Sequence, residues 1–335
     1  MIKTIYFFGT SHTAGGGFEF NSKLKTFNFI EAELKENEEP KGKILHRIYE
    51  ELFPNELRTQ DNYSFPGQFQ KLCDDKKIDI KVVNISKQGY GNERIYRKFY
   101  DLIQSKDFDR KTSLFIFEFS DIERKEIYYK PLNNHVIINY GAVDRYFHTN
   151  DVKQKTKNFE STIEISSYAH SYWYETEEDL KILKEDYKFF EDYVNKTFDT
   201  KTIINQLNIN NINFLNFLKH QNFNFLISET HNLLWKTLNE YHEFINDHRI
   251  SYKCRDGSTT TSFIEYIHKH EHLITYETSY RISDMHPSLK GNKLIAKNIF
   301  NECVKRNYIE SDIIKLNKTD FTNPKKSIFW KYIYL

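Results

Sequence analysis

Short apolar runs alternate with longer amphipathic segments along this chain. The runs with the length and the aromatic or β-branched character of buried strands are 3–8, 80–85, 113–119, 223–228 and 273–278. The segments with apolar residues at helical spacing are 66–77, 91–104, 177–198, 202–221, 231–247, 262–270 and 288–306. Strands that alternate with helices predict an α/β fold with a mainly parallel sheet covered by helices.

Two regions depart from this alternation. Residues 18–62 are highly charged and predict a surface insertion, with a helix near 42–53. Residues 127–176 are rich in Tyr, His and Asn without a clear period, so we expect a cap-like elaboration over about 127–220. The sequence has no internal repeat and no long Gly/Ser linker, which predicts one domain over 1–310 followed by an aromatic C-terminal tail at 311–335.

Composition narrows the choice of partners and compartment. Lys and Arg total 48 against 47 Asp and Glu, so the net charge of +1 gives no basic surface for nucleic acid or an anionic membrane. The chain also lacks a signal-peptide pattern and an apolar run of membrane-spanning length. The widely spaced Cys73, Cys254 and Cys303 favour reduced thiols. These features predict a cytoplasmic protein that binds neither nucleic acid nor membrane.

The first strand ends on the small polar turn "GTSHTAGGG", residues 9–17. In open parallel sheets ligands bind beyond the carboxyl ends of the strands, and Ser11 lies just past such an end. Ser11 is therefore a candidate nucleophile, while a helix-capping serine is the plainer alternative. A phosphate-binding P-loop is disfavoured because no G-K-[ST] closes the turn.

Two further turns follow strands at the same predicted edge. "NISKQGYGNER", residues 84–94, resembles a dinucleotide-binding loop, but Arg94 replaces the third glycine. Gly89 instead offers a backbone amide near a helix start, suited to an oxyanion, with a plain glycine turn as the alternative. "FEFSDIERKE", residues 117–126, places Ser120 in a polar cluster directly after an apolar strand.

A histidine and a carboxylate precede the last predicted helix. In "SDMHPSLKG", His286 lies two residues after Asp284 and directly before a proline. A catalytic imidazole needs a partner that fixes its tautomer, and Asp284 could supply that contact or serve as an ordinary loop residue.

Taken in order, these blocks resemble those of the SGNH (GDSL-like) hydrolases. "FFGTSHTAGGG" is similar to the first block of that family, "NISKQGYGNER" to the second and "DMHPSLKGNKLIA" to the last. With "SDIERKE", the likeness is to members encoded by bacteriophages and marine bacteria. The matches cover about 35 residues, whereas the α/β pattern extends over most of the chain.

The resemblance implies a fold and a site. The fold would be a flavodoxin-like three-layer sandwich with a five-stranded parallel sheet and a helical insertion. Ser11 would be the nucleophile and His286 the general base, with Asp284 as the third member. The backbone amides of Ser11 and Gly89 would form the oxyanion hole.

Two departures from the family pattern bear on activity. The third block of the family carries Gly-x-Asn, whose Asn is an oxyanion donor, but residues 118–120 read "EFS", so Ser120 takes that place and Asn92 is another candidate donor. The familiar D-x-x-H spacing is D-x-H here, because Ser283 occupies the position of the Asp.

The expected function is hydrolysis of a short acyl ester, such as an O-acetyl group on a carbohydrate, without a metal or other cofactor. Two alternatives stay open: a weakly active or inactive binding or structural protein of phage origin, which could be virion-associated, and an O-acyltransferase.

His12 is expected to shape the pocket rather than act as the base. His268, His270 and His272 could bind zinc only if a strand put them on one face, and the preceding helical pattern argues against this.

Overall fold

The computed structural model describes most of the predicted α/β elements. The described residues are 1–15, 64–86, 91–119, 124–139, 200–230, 247–269 and 289–310, with the single residues Phe189, Asp192, Tyr193, Lys196, Thr197, Ile245 and Pro287. The predicted insertion at 18–62, the strand at 273–278, nearly all of the helices at 177–198 and 231–247, and the tail at 311–335 lie outside them.

The elements are numbered here in chain order. The strands are β1 (Thr4–Phe8), β2 (Lys81–Asn84), β3 (Ser113–Phe119), β4 (Arg124–Tyr129), β5 (Asn134–Asn139), β6 (Asn224–Glu229), β7 (Tyr252–Lys253) and β8 (Thr259–Thr260). The helices are α1 (Ser11–Ala14), α2 (Phe65–Asp75), α3 (Asn92–Ile103), α4 (Thr200–His220), α5 (Phe263–His268) and α6 (Leu289–Lys305).

The described core is a parallel sheet of four strands in the order β2-β1-β3-β6. This confirms the α/β fold. The order also agrees with the first four positions of the doubly wound arrangement 2-1-3-4-5. Beyond β6, the backbone of 248–250 forms a parallel bridge to Ile227, with N–H to O=C distances of 2.9 Å on both sides.

Strand β3 shows why the sheet is covered on both faces. All of its residues are buried, as expected for a central parallel strand. Leu114 and Ile116 pack into the cluster formed with α2, α5 and α6, whereas Phe115, Phe117 and Phe119 pack into the cluster formed with α3 and α4. The two-residue period of a strand therefore divides the core into two layers.

Helix α6 runs antiparallel to the sheet. The segment 247–251 follows the direction of β6, since Arg249 is in parallel register with Ile227. Asn298 donates to the carbonyl of Ser251 at 3.0 Å, and Arg306, just after the helix, donates to the carbonyl of Arg249 at 2.8 Å. Later residues of α6 therefore contact earlier residues of the segment 247–251. The helix runs opposite to β6, and its first turn lies toward the carboxyl edge of the sheet.

A hairpin formed by β4 and β5 extends into the region without a clear sequence period. β4 and β5 pair antiparallel from Arg124↔Asn139 to Tyr129↔Asn134, and Asn133 adopts a left-handed conformation in the turn (φ 48°). Glu126 of β4 accepts from Arg97 of α3 at 2.8 and 3.1 Å, which fixes the hairpin to that helix. Neither strand was among those predicted from the sequence, because a two-stranded ribbon repeats over too few residues to stand out.

Helix α4 also falls within the predicted cap-like elaboration, but it packs on the sheet. Phe214, Leu215 and Leu218 are buried against the same aromatic cluster as Phe99 and Phe117. Among the described helices, none combines the length and apolar character needed to cross a bilayer.

Candidate functional site

Ser11 lies where the strand order of the sheet reverses. β1 pairs with β2 on one side and with β3 on the other, so the ends of β1 and β3 flank the switch point where open α/β sheets bind ligands. Phe8 is in register with Phe117, and Ser11 opens the short helix α1 three residues later. The structure therefore puts Ser11 at the sheet edge that the sequence predicted.

A buried carboxylate holds the turn around Ser11. Glu118, near the end of β3, is 1% exposed, and its Oε2 accepts the backbone N–H groups of Thr10 at 3.0 Å and Thr13 at 3.1 Å. The Thr13 hydroxyl donates to the same oxygen. Thr10, the residue before α1, makes no capping hydrogen bond to the helix with its side chain. Glu118 caps the first turn in its place, by accepting the Thr13 N–H.

The second oxygen of Glu118 joins the end of β6 to the turn. Its Oε1 accepts from the Thr10 hydroxyl at 2.8 Å and from the Thr230 hydroxyl, just after β6, at 2.6 Å. His12 Nδ1 lies 3.4 Å from the same oxygen, and its ring meets Phe263 edge-on at 5.6 Å. His12 thus lies against the turn, and its role in shaping the pocket stays a prediction.

These contacts decide the charge of Glu118. Burial by itself raises the pKa of a carboxyl group, but the contacts from His12, Thr13 and Thr230 outweigh it and lower the pKa of Glu118 to about 2. Glu118 is therefore ionised at neutral pH. An anion in this position repels further negative charge, and the hydrogen-bond donors around Glu118 offset part of that charge.

Ser11 stands apart from this network. Thr10, His12 and Thr13 all contact Glu118, but no such contact involves Ser11. Within the part of the chain that the structure describes, neither the N–H nor the Oγ of Ser11 has a hydrogen-bond partner, and the residue is 9% exposed. Its hydroxyl and amide are both left for another group.

Gly9 is required by the close approach of Glu118. A Cβ built on Gly9 would lie 2.5 Å from Glu118 Oε2, 2.7 Å from Thr13 Cβ and against Thr13 Oγ1. Real Cβ atoms do not come this close to other heavy atoms. A glycine before the turn is what lets the carboxylate reach the amides of Thr10 and Thr13.

We therefore expect Gly9→Ala to destabilise the fold by about 1–3 kcal/mol, as overpacking in a filled site does. The measurement is urea unfolding followed by circular dichroism. Gly257→Asn serves as the comparison, because a Cβ there meets nothing within 4 Å and asparagine tolerates the φ of +82°. Equal stability of Gly9→Ala and the wild type would contradict the crowding seen here.

The other predicted oxyanion donors are only partly described. Asn92 begins α3, is buried, and donates from Nδ2 to Asn211 Oδ1 of α4 at 3.3 Å. The Tyr96 hydroxyl donates to the same oxygen. This contact directs the amide of Asn92 toward the layer of α3 and α4. Gly89 and Ser120 lie outside the described residues.

The predicted general base His286 and its predicted partner Asp284 also lie outside the described residues. Pro287, which follows His286, is described: it is buried, and its carbonyl accepts from Asn292 Nδ2 of α6 at 3.3 Å. The first turn of α6, and Pro287 bonded to it, therefore lie toward the carboxyl edge of the sheet, which is the edge that carries Ser11.

A second buried carboxylate lies at the same edge. Glu229, the last residue of β6, forms an ion pair with Arg249 at 2.7 Å, and both side chains are almost fully buried. In register with Glu118, Ser228 shares a 2.8 Å hydrogen bond with the Tyr252 hydroxyl. The carboxyl ends of β3 and β6 are thus polar and tightly bonded, in contrast to the apolar body of the sheet.

Sequence reasoning did not assign a role to Glu118. The available signal was a charged residue inside the apolar strand "SLFIFEF". An ionised group cannot be buried in such a strand without partners, so its presence implies donors that reach the strand end from elsewhere.

The disfavoured alternative of a metal site at His268, His270 and His272 gains no support from the described residues. The chain is helical up to His268, whereas His270 and His272 lie outside the described residues. Among the residues that the structure describes, no group of three or more His, Cys, Asp or Glu side chains is arranged to hold a metal ion.

Comparisons with known proteins do not assign a function to this chain, so a functional assignment has to rest on the site. No family model matches the chain, and neither the curated proteins nor the solved structures contain a match.

Proposed function

We propose that the protein is a serine esterase that hydrolyses short acyl esters, with Ser11 as nucleophile and His286 as general base. The observation that carries the proposal is the placement of Ser11. It stands at the switch point of a parallel sheet, on a turn fixed by Glu118, with no hydrogen-bond partner for its Oγ or N–H in the described part of the chain.

The chemistry follows from that placement. With His286 taking the hydroxyl proton, Ser11 Oγ attacks the ester carbonyl, and the oxygen of the tetrahedral intermediate accepts from the Ser11 N–H. The alcohol then leaves with the proton from His286, and water releases the acyl group by the reverse proton transfers. Gly89 N–H is the second proposed donor, and Ser120 is the candidate for a third, since Asn92 Nδ2 is bonded to Asn211.

Two features of the described residues support the base assignment. Helix α6 starts toward the carboxyl edge of the sheet, and Asn292 in its first turns bonds to the carbonyl of buried Pro287. Pro287, which directly follows His286 in the sequence, is therefore tied to a helix start on the side of the sheet that carries Ser11. Short acyl esters, including O-acetyl groups on sugars, are the substrate class implied by the motif resemblance.

Covalent labelling tests the proposal. A fluorophosphonate probe is expected to label the protein once, on Ser11, and p-nitrophenyl acetate to be hydrolysed by the unlabelled protein only. Tryptic peptide 4–23 also contains Ser22, so fragmentation must place the label on Ser11. Ser86, at the end of β2 on the same edge, is the internal control and should stay unlabelled.

The outcomes separate the candidate functions. Labelling elsewhere, or neither labelling nor turnover of acetyl, butyryl and acetylated-sugar esters, would overturn the esterase and favour a binding protein of the same fold. Transfer of the acetyl group to an added sugar in preference to water would instead show an acyltransferase.

A further inference from the structure

We propose that Glu118 is the positioning residue of the reaction, which sets the direction of the Ser11 N–H and Oγ by binding the residues on both sides of it. The inference rests on the proposed function of Ser11 and adds a residue that the motif resemblance does not supply. Glu118 itself does not touch the substrate in this scheme.

The geometry of the turn carries the argument. A single carboxylate oxygen accepts from the N–H of Thr10, one residue before Ser11, and of Thr13, two residues after it. Both ends of the turn are therefore fixed to β3 at distances of 3.0 and 3.1 Å. Ser11 lies between these two residues and does not bond to Glu118 itself, so fixing the two flanking amides also fixes the position of the Ser11 N–H and leaves it without a contact to the carboxylate.

The second carboxylate oxygen adds resistance to rotation. Contacts from Thr10 at 2.8 Å, Thr230 at 2.6 Å and His12 at 3.4 Å reach it from three different positions. A carboxylate held on both oxygens cannot turn about its own axis, so the turn it carries is held in one orientation. Preorganised donors are the main source of oxyanion stabilisation, and here the donor depends on Glu118 for its position.

Three variants test this role. Glu118→Ala removes every contact. Glu118→Gln keeps one oxygen for the amides of Thr10 and Thr13, while its NH₂ faces hydroxyls that can rotate to accept. Thr230→Val removes one outer contact and leaves the two amide bonds intact.

We expect Glu118→Ala to lower kcat by about 100-fold with KM changed less than about threefold, because the misplaced donor acts only on the transition state. Glu118→Gln should recover most of the lost kcat, and Thr230→Val should remain within about fivefold of the wild type. Thermal unfolding of each variant measures the folded fraction, to which each rate is normalised.

Hydrogen exchange supplies a readout that does not need activity. The peptide containing residues 9–15 should exchange faster in Glu118→Ala than in the wild type, and Glu118→Gln should restore protection, even if no esterase activity is found.

An inactive wild type with this exchange pattern would overturn the proposed function but keep the positioning of the turn. Unchanged exchange in Glu118→Ala, or equal kcat losses in folded Glu118→Ala and Glu118→Gln, would overturn the positioning role. If Glu118→Ala does not fold, the Gln and Val variants decide, and a 100-fold loss of kcat in folded Glu118→Gln rules out positioning through the amides.

Discussion

Ser11→Ala is expected to abolish covalent labelling and to lower kcat for p-nitrophenyl acetate by about 10⁴-fold or more. The reason is that Ser11 is the proposed nucleophile, and without its Oγ the acyl intermediate cannot form on it. Stability should change little, because Ser11 Oγ has no hydrogen-bond partner in the described part of the chain and lies outside the Glu118 network. The measurements are steady-state kinetics, probe labelling and thermal unfolding on the same preparations.

Ser86→Ala is the matched control for this variant. Ser86 follows β2 at the same edge, and its Oγ is 3.5 Å from the carbonyl of Phe7, so it differs from Ser11 in having a structural contact. Its removal should leave kcat within about twofold. If Ser11→Ala keeps its turnover, or if both serine variants lose activity equally, Ser11 is not the nucleophile.

His286→Ala is expected to lower kcat by about 10⁴-fold while leaving the protein folded. Without the imidazole, the Ser11 hydroxyl has no group to take its proton, and the Ala variant also loses the acid that protonates the leaving alcohol. Labelling by the fluorophosphonate probe should slow as well, because it depends on the same activated hydroxyl. The measurements are kcat, the labelling rate and the unfolding midpoint.

The control for this change is His220→Ala. His220 is exposed at the end of α4, directly before β6, and therefore at the opposite edge of the sheet from Ser11. Wild-type activity is expected there. The same assay on Asp284→Asn decides between a triad and a dyad, since only a triad loses rate when the orienting carboxylate is removed. Full activity of His286→Ala would remove this histidine from the mechanism.

The strands and helices of the core could be predicted from the pattern of apolar residues. "SLFIFEF" predicts a strand at 113–119, and β3 has the same bounds, because a fully buried parallel strand reads as an unbroken apolar run. The helices predicted at 91–104 and 288–306 agree with α3 and α6 to within a residue at each end. The hairpin β4–β5 was missed because its pairing depends on contacts with α3 as well as on its own sequence.

The location of Ser11 was also predicted, but its surroundings were not. Parallel strands end at one edge, so a serine after the first strand had to lie at that edge once the fold was α/β. The partners of Glu118 come from positions 10, 12, 13 and 230, and no local pattern connects residues so far apart. The contact between Asn92 and Asn211 is equally remote in sequence.

Local periodicity therefore determined the class of fold, the order of its elements and the candidate nucleophile, because each of these depends on residues that are neighbours in the chain. Only the tertiary structure decided that a buried glutamate from β3 caps the turn of Ser11 and that Gly9 must lack a Cβ. It also decided that α6 begins toward the edge of the sheet where Ser11 lies. These are consequences of strand order and helix direction, which bring distant residues within hydrogen-bonding distance.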